Sequence, residues 1–146
     1  MIDGHVRITI GDTDTTMHLY RDLLGFQPTV GLFTSNKAFS ALTGLEEAQF
    51  RLTTTPIPGE PRLMLELIEF KGVDRKPLDT HIYDSGATRL MLIVRNMDSA
   101  VSKFKSAGGT VVSTGGRPVN LGPGGPYLVV RDLNNFFIIL RERASP

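Results

Sequence analysis

The sequence predicts an α+β fold: two tandem βαβββ modules whose strands form a curved mixed sheet around a cleft. Three observations predict it. A strand, a capped helix and further strands occur in that order twice along the chain. The starts of the halves match without a gap: Ile10 with Val94, Asp14 with Asp98, Met17 with Val101, Tyr20 with Phe104 and Gly25 with Gly109. The ends match too, with Leu65-Glu66-Leu67 opposite Ile138-Ile139-Leu140. The same register sets Arg89 where His5 stands. The chain is read as one domain, residues 1–146, with module one over about 1–70, a linker over 71–85 and module two over about 86–146.

The first strand is His5 to Ile10, where Val6, Ile8 and Ile10 alternate with polar neighbours at period two. Gly11 ends it, and Asp12-Thr13-Asp14 is rich in helix-capping residues. Met17, Tyr20, Leu23 and Leu24 then recur at helical spacing until Gly25. Phe26 to Phe33 reads as a second strand, and Asn36 to Leu45 as one or two helical turns. Ala48 to Thr53 alternates again, with Phe50 and Leu52 inward against Gln49, Arg51 and Thr53. Prolines and glycine make Thr55 to Pro61 a turn. Arg62 to Glu69 is a strand with Leu63, Leu65 and Leu67 on one face.

Lys71 to Ser85 lacks periodicity and reads as a linker, with Lys71, Arg75 and Lys76 a solvated basic cluster. Module two then repeats the order. Arg89 to Val94 is a strand, and Asn96 opens a helix carrying Val101, Phe104 and Ala107 that Gly108-Gly109 ends. Thr110 to Thr114 is a strand. A Gly- and Pro-rich stretch to Pro126 holds turns and a short strand near Val119. Tyr127 to Val130 and Phe136 to Leu140 complete the module.

Composition narrows the function classes. Net charge is +1 at pH 7, too balanced to argue for a nucleic-acid or anionic-membrane partner. With no cysteine, the chain has no disulfide, no thiolate zinc site and no cysteine nucleophile. Phe136 to Leu140 is too short an apolar run to span a bilayer. Met1 to Arg7 carries charge where a signal peptide needs apolar residues, so a cytoplasmic protein is expected.

Period two also assigns faces. The apolar sets Val6/Ile8/Ile10, Leu63/Leu65/Leu67, Leu90/Leu92/Val94 and Phe136/Ile138/Leu140 are expected against the helices. The opposite faces carry His5 and Arg7; Gln49 and Arg51; Arg62, Met64 and Glu66; Arg89; Tyr127 and Arg131; and Phe137, Ile139 and Arg141. A slip of one residue would flip any strand. Arginine's planar fork suits carboxylate or phosphate, so Arg7, Arg51, Arg62, Arg89, Arg131, Arg141 and Tyr127 are candidate binders of an anionic small molecule. The alternative is that these arginines sit at a rim, solvated or paired with Asp and Glu. Glu66, an acid between apolar neighbours, is a candidate catalytic residue; the structural alternative is an ion pair, expected with Arg89.

His5-Val6-x-Ile8-x-Ile10 followed by Tyr20-Arg21-Asp22-Leu23-Leu24-Gly25-Phe26 resembles the opening of the vicinal oxygen chelate superfamily, which includes glyoxalase I, extradiol dioxygenases and the bleomycin and fosfomycin resistance proteins. Arg131-Asp132-Leu133-Asn134-Asn135-Phe136 resembles its Asp-Pro-Asp-Gly turn, with Leu133 and Asn135 departing from it. The resemblance covers nearly the whole chain and implies the fold. It implies metal ligands at four positions: His5, Glu66, Arg89 and Ile139. His5 and Glu66 suit a divalent metal; Arg89 and Ile139 do not. The implied site is therefore partial, and either no cofactor or a divalent metal is expected. The resemblance also implies a homodimer.

Two readings follow. In one, Arg89 supplies fixed positive charge where relatives hold metal, and Glu66 and His5 act as base and acid in lyase- or isomerase-type proton transfer beside a carbonyl. Extradiol dioxygenase and glyoxalase I chemistry fit less well. In the other, the chain is a metal-free binder that sequesters a small molecule.

Overall fold

The computed structural model describes residues 4–144; Met1–Asp3, part of the expectation about a leader, lie outside the described residues. The fold is α+β with two mixed sheets. The chain divides into two compact units, Met1–Lys76 and Pro77–Pro146.

In unit one, β1 (Gly4–Ile10) leads into α1 (Thr13–Met17), which continues as a π-helical run, His18–Leu23. Then follow β2 (Thr29–Val30), α2 (Lys37–Thr43), β3 (Gln49–Ile57) and β4 (Glu60–Lys71). The sheet order is β1-β4-β3-β2, with β1 and β4 parallel. In unit two, β5 (Arg89–Val94) leads into α3 (Met97–Ser106), β6 (Thr110–Val111), a 3-10 turn (Thr114–Gly116), β7 (Val119–Asn120), β8 (Pro126–Arg131) and β9 (Phe137–Glu142). Its order is β5-β9-β8-β6, with β7 also on β8 and β5 parallel to β9.

The repeat survives in register. Arg7 pairs with Glu66 and Ile8 with Leu67; their counterparts Met91 and Leu92 pair with Ile139 and Leu140. Even the helix starts repeat. Asp12 and Asn96 cap by accepting the amides of Thr15 and Ser99. The next free amides, Thr13 and Met97, donate to the carboxylates of Glu69 and Glu142 at 3.0 and 2.6 Å. Each glutamate is the strand partner of the last residue of β1 or β5. A negative group at a helix start also suits the backbone dipole.

The helix ends correct one expected match. Gly25 and Gly108 hold the left-handed turn, φ 78° and 84°, so Gly25 corresponds to Gly108 rather than Gly109. The first helix holds one more residue, absorbed in its π-helical run, where the Leu24 amide reaches back to the Leu19 carbonyl at 2.9 Å. Tyr20 and Phe104, matched across the halves, are both fully buried.

Several boundaries move. The strand expected over Phe26–Phe33 is only Thr29–Val30, with an isolated bridge from Thr34 to Phe50. The strand expected over Thr110–Thr114 stops at Val111, where the 3-10 turn intervenes. The turn expected over Thr55–Pro61 shrinks to Pro58-Gly59, and β3 runs through Pro56 to a register shift. Phe136 precedes β9. Arg75 is not simply solvated: it donates to the Ile10 and Gly11 carbonyls at 3.3 and 3.0 Å.

The largest correction is to β3. Thr53 faces with Leu67, Thr55 with Leu65 and Arg51 with Glu69, while Phe50, Leu52 and Thr54 share a face with Phe70, Ile68 and Glu66. The strand is turned by one residue from the expected register. Thr53 and Thr55, fully buried, line the core side, and Phe50 and Leu52 lie on the Glu66 side. Gln49 and Arg51 are therefore not on the Glu66 face.

Candidate functional site

Parallel pairing of β1 and β4 sets Arg7 directly beside Glu66, with His5 two residues earlier on the same face. Arg7 Nε and Nη2 both meet Glu66 Oε2, at 2.8 and 2.7 Å. His5 Nδ1 lies 2.8 Å from Glu66 Oε1. Both carboxylate oxygens are thus engaged. The Glu66 side chain is 10% exposed, while His5 keeps 58% of its surface. The hydrogen bond from His5, then that from Arg7 and the guanidinium charge, hold the Glu66 carboxyl below the usual glutamate range against the opposing pull of burial.

An ionised carboxylate only accepts hydrogen bonds. The neutral His5 ring therefore carries its proton on Nδ1, and Nε2 is left with its lone pair. That is a histidine oriented and polarised by a carboxylate. Around the group, Thr54 stands opposite Glu66 on β3. Phe39 of α2 packs on Phe50 with centroids 4.0 Å apart, and the Arg7 guanidinium lies 6.0 Å from the Phe39 centroid. An open cavity of about 450 Å³, lined by residues including Asn36, Lys37, Glu46 and Gln49, shares no lining residue with this group.

The structure brings His5, Arg7 and Glu66 together, and the other candidates make contacts of their own within their units. The ion pair expected between Glu66 and Arg89 is replaced by that with Arg7; Arg89 Nη1 donates to the Ile82 carbonyl at 3.1 Å. Arg51 lies on the opposite face of its sheet, over the Phe33 ring at 4.2 Å. Arg62 is exposed and meets Glu60 at 3.4 Å. In unit two, Arg131 pairs with Asp79 at 3.0 Å and covers Phe137 at 4.3 Å. Tyr127 and Arg141 are cross-strand partners on that same sheet face. Sequence reasoning missed Phe39, Thr54 and Asp79. Phe39 lies in a helix too short to show periodicity, and Asp79 in a segment without pattern.

The donor set does not fit a metal held by three or more side chains. Both Glu66 oxygens already accept hydrogen bonds, and the repeat-equivalent positions Arg89 and Ile139 offer no lone pair. Among the described residues, no three His, Asp or Glu side chains gather closely enough to hold a metal ion. Among them, too, no helix is long and apolar enough to cross a membrane.

The fold is similar to several solved structures. A glyoxalase family protein from Bacillus cereus aligns with a TM-score of 0.82 at 18% identity, over 99% of this chain and 94% of that one. A fosfomycin resistance protein from Listeria monocytogenes, complexed with Mn(II) and sulfate, aligns at 0.60 and 16% identity, over 99% and 95%. A glyoxalase I mutant from Zea mays aligns at 0.63 and 17%, over 97% of this chain and 45% of that one. At such identities the likeness is one of fold. No curated protein matches the sequence. The family model of the Glyoxalase/Bleomycin resistance protein/Dioxygenase superfamily matches residues 4–123. That match spans well over half of the chain, and the chain belongs to that superfamily.

Proposed function

We propose that the protein catalyses metal-independent proton transfer on a small anionic carbonyl compound, as a lyase or isomerase, with His5 as the base. The observation that carries this is the 2.8 Å contact between His5 Nδ1 and Glu66 Oε1, which leaves Nε2 as the free basic atom on an exposed ring. Glu66 is the positioning residue rather than the base, because both its oxygens are engaged and its carboxyl is held below the usual range. His5 Nε2 takes a proton from the carbon beside the carbonyl. The bond electrons move into the carbonyl to give an enolate, and the new imidazolium keeps its Nδ1 proton on Glu66. Return of the proton to the other face, or to another carbon, completes the reaction without oxidant or reductant. The anionic character of the substrate is supported by Arg7, whose half-exposed guanidinium stands on the same strand face as His5.

The test is exchange of carbon-bound protons in D2O, followed by NMR on a panel of 2-oxo acids, 2-oxobutyrate first, with EDTA present. Wild type is expected to exchange a substrate of the panel, and H5Q to lose roughly 10²–10⁴-fold, the usual worth of a general base. Exchange by wild type that H5Q leaves unchanged rejects His5 as the base.

A second reading, metal-free sequestration, is favoured by the engagement of both Glu66 oxygens with neighbouring side chains, which suits a structural ion pair. It predicts binding without exchange. A homodimer belongs to the proposal as well, and light scattering should give twice the chain mass.

A further inference from the structure

Across β8, β9 and β5, Arg131, Phe137 and Arg89 form one cross-strand row on one sheet face. Arg131 lies over the Phe137 ring and keeps only 17% of its side-chain surface, so its guanidinium is held in place before any ligand arrives. Residues 78–82 run along this row as a strap. Asp79 Oδ1 accepts from Arg131 Nη1 at 3.0 Å, the Ile82 carbonyl accepts from Arg89 Nη1 at 3.1 Å, and the Leu78 carbonyl accepts from Asn135 Nδ2 at 3.0 Å.

Otherwise the strap is tied locally at His81, whose amide and ring meet the Asp84 carboxylate at 2.6 and 3.3 Å and whose ring stacks on Tyr83. Leu78 is 73% exposed, and no residue of 77–82 is buried. Asp79 itself is 85% exposed, so its single contact is strongly screened by water. A segment held by a few exposed polar contacts opens at low cost. The chemistry is that of a carboxylate resting on a preorganised arginine, and the carboxylate belongs to the chain.

We propose that the Arg131–Phe137–Arg89 row is a carboxylate-binding site and that Asp79 is its resident competitor, displaced with the strap when a small carboxylate binds. The displacing carboxylate takes the Arg131 fork in two-pronged geometry, where Asp79 makes one contact. Arg89 exchanges a neutral carbonyl for the same charged partner. The site lies wholly within unit two and goes beyond the function proposed above, without drawing on the chemistry at His5. Propionate binding and deuterium exchange therefore fail separately.

The test is titration of the full chain with propionate by NMR, with propionamide as the neutral control, in wild type, D79N and R131K. Removing the competitor should tighten propionate binding roughly two- to fivefold, the worth of an exposed pair. R131K, which keeps the charge and loses the fork, should bind more weakly than wild type, and propionamide should not bind. The Asn135 Nδ2 protons, which donate to the Leu78 carbonyl, should exchange faster when wild type is saturated with propionate. D79N binding no tighter than wild type, no binding by either protein, or Asn135 side-chain protons that exchange no faster with propionate bound would overturn the proposal.

Discussion

Glu66 holds its charge because two neighbours donate to it, His5 first and Arg7 second. The folded protein therefore binds that proton less readily than the unfolded chain. The stability this contributes is complete above the usual glutamate range and lost as pH falls through it. Thermal unfolding followed from about pH 7 to about pH 3 should show Tm falling more steeply in wild type than in E66Q, which has no such proton to gain. Equal slopes would mean that the triad adds nothing to acid sensitivity. Asp12 gives a second test. It accepts from the Thr15 amide at 2.8 Å, and that bond chiefly lowers its pKa. D12A should lose about 1 kcal/mol in denaturant unfolding. At this scale the sequence was partly legible. Glu66 stood out as an acid among apolar neighbours, and His5 opened a clean alternation. Their partnership did not, because β1 and β4 meet only through a register that no local pattern encodes.

Elements follow hydrophobic period where packing on one face decides the strand, as in β1 and β5, whose expected bounds hold within a residue. Period misleads at β3. There the apolar residues Phe50 and Leu52 share a face with Ile68 and Phe70, and Phe50 packs under Phe39 of α2. Thr53 and Thr55 take the core side, where β-branched side chains fit a crowded pleat. The Thr53 hydroxyl is buried without a hydrogen-bond partner. T53V keeps the shape and removes that unpaired group, so it should leave stability unchanged or raise it, by up to about 1 kcal/mol. A clear loss in chemical denaturation would show that the hydroxyl is bonded. The turn into β9 teaches the same lesson. Asn135 stands at φ 62°, a conformation that explains why a glycine is usual there and why asparagine is tolerated. Asp132, buried, accepts from the Asn134 and Phe136 amides at 2.8 and 2.9 Å and fixes the turn without the usual proline.

For the molecule as a whole, the repeat carried the fold. Matching residues at strand and helix starts foretold the repeated strand–helix–strands units and their mixed sheet pairing; which strands run parallel, and the one-residue difference that hides in a π-helical run, did not show. The repeat equally exposes where the halves diverge: His5 against Arg89 and Glu66 against Ile139, donors in one unit and none in the other. EDTA should therefore leave Tm unchanged, and added Mn(II) should not raise it; a rise that H5Q abolishes would restore the metal reading. The account turns on the state of one ring. With histidine at only three positions, 15N-histidine labelling and single substitutions assign every imidazole signal. Long-range 1H–15N NMR at a pH where His5 is neutral should find its proton on Nδ1, and that preference should weaken in E66Q. A proton on Nε2 in the wild type would contradict the account, since Glu66 would then accept nothing from the ring and the basic atom would face the carboxylate.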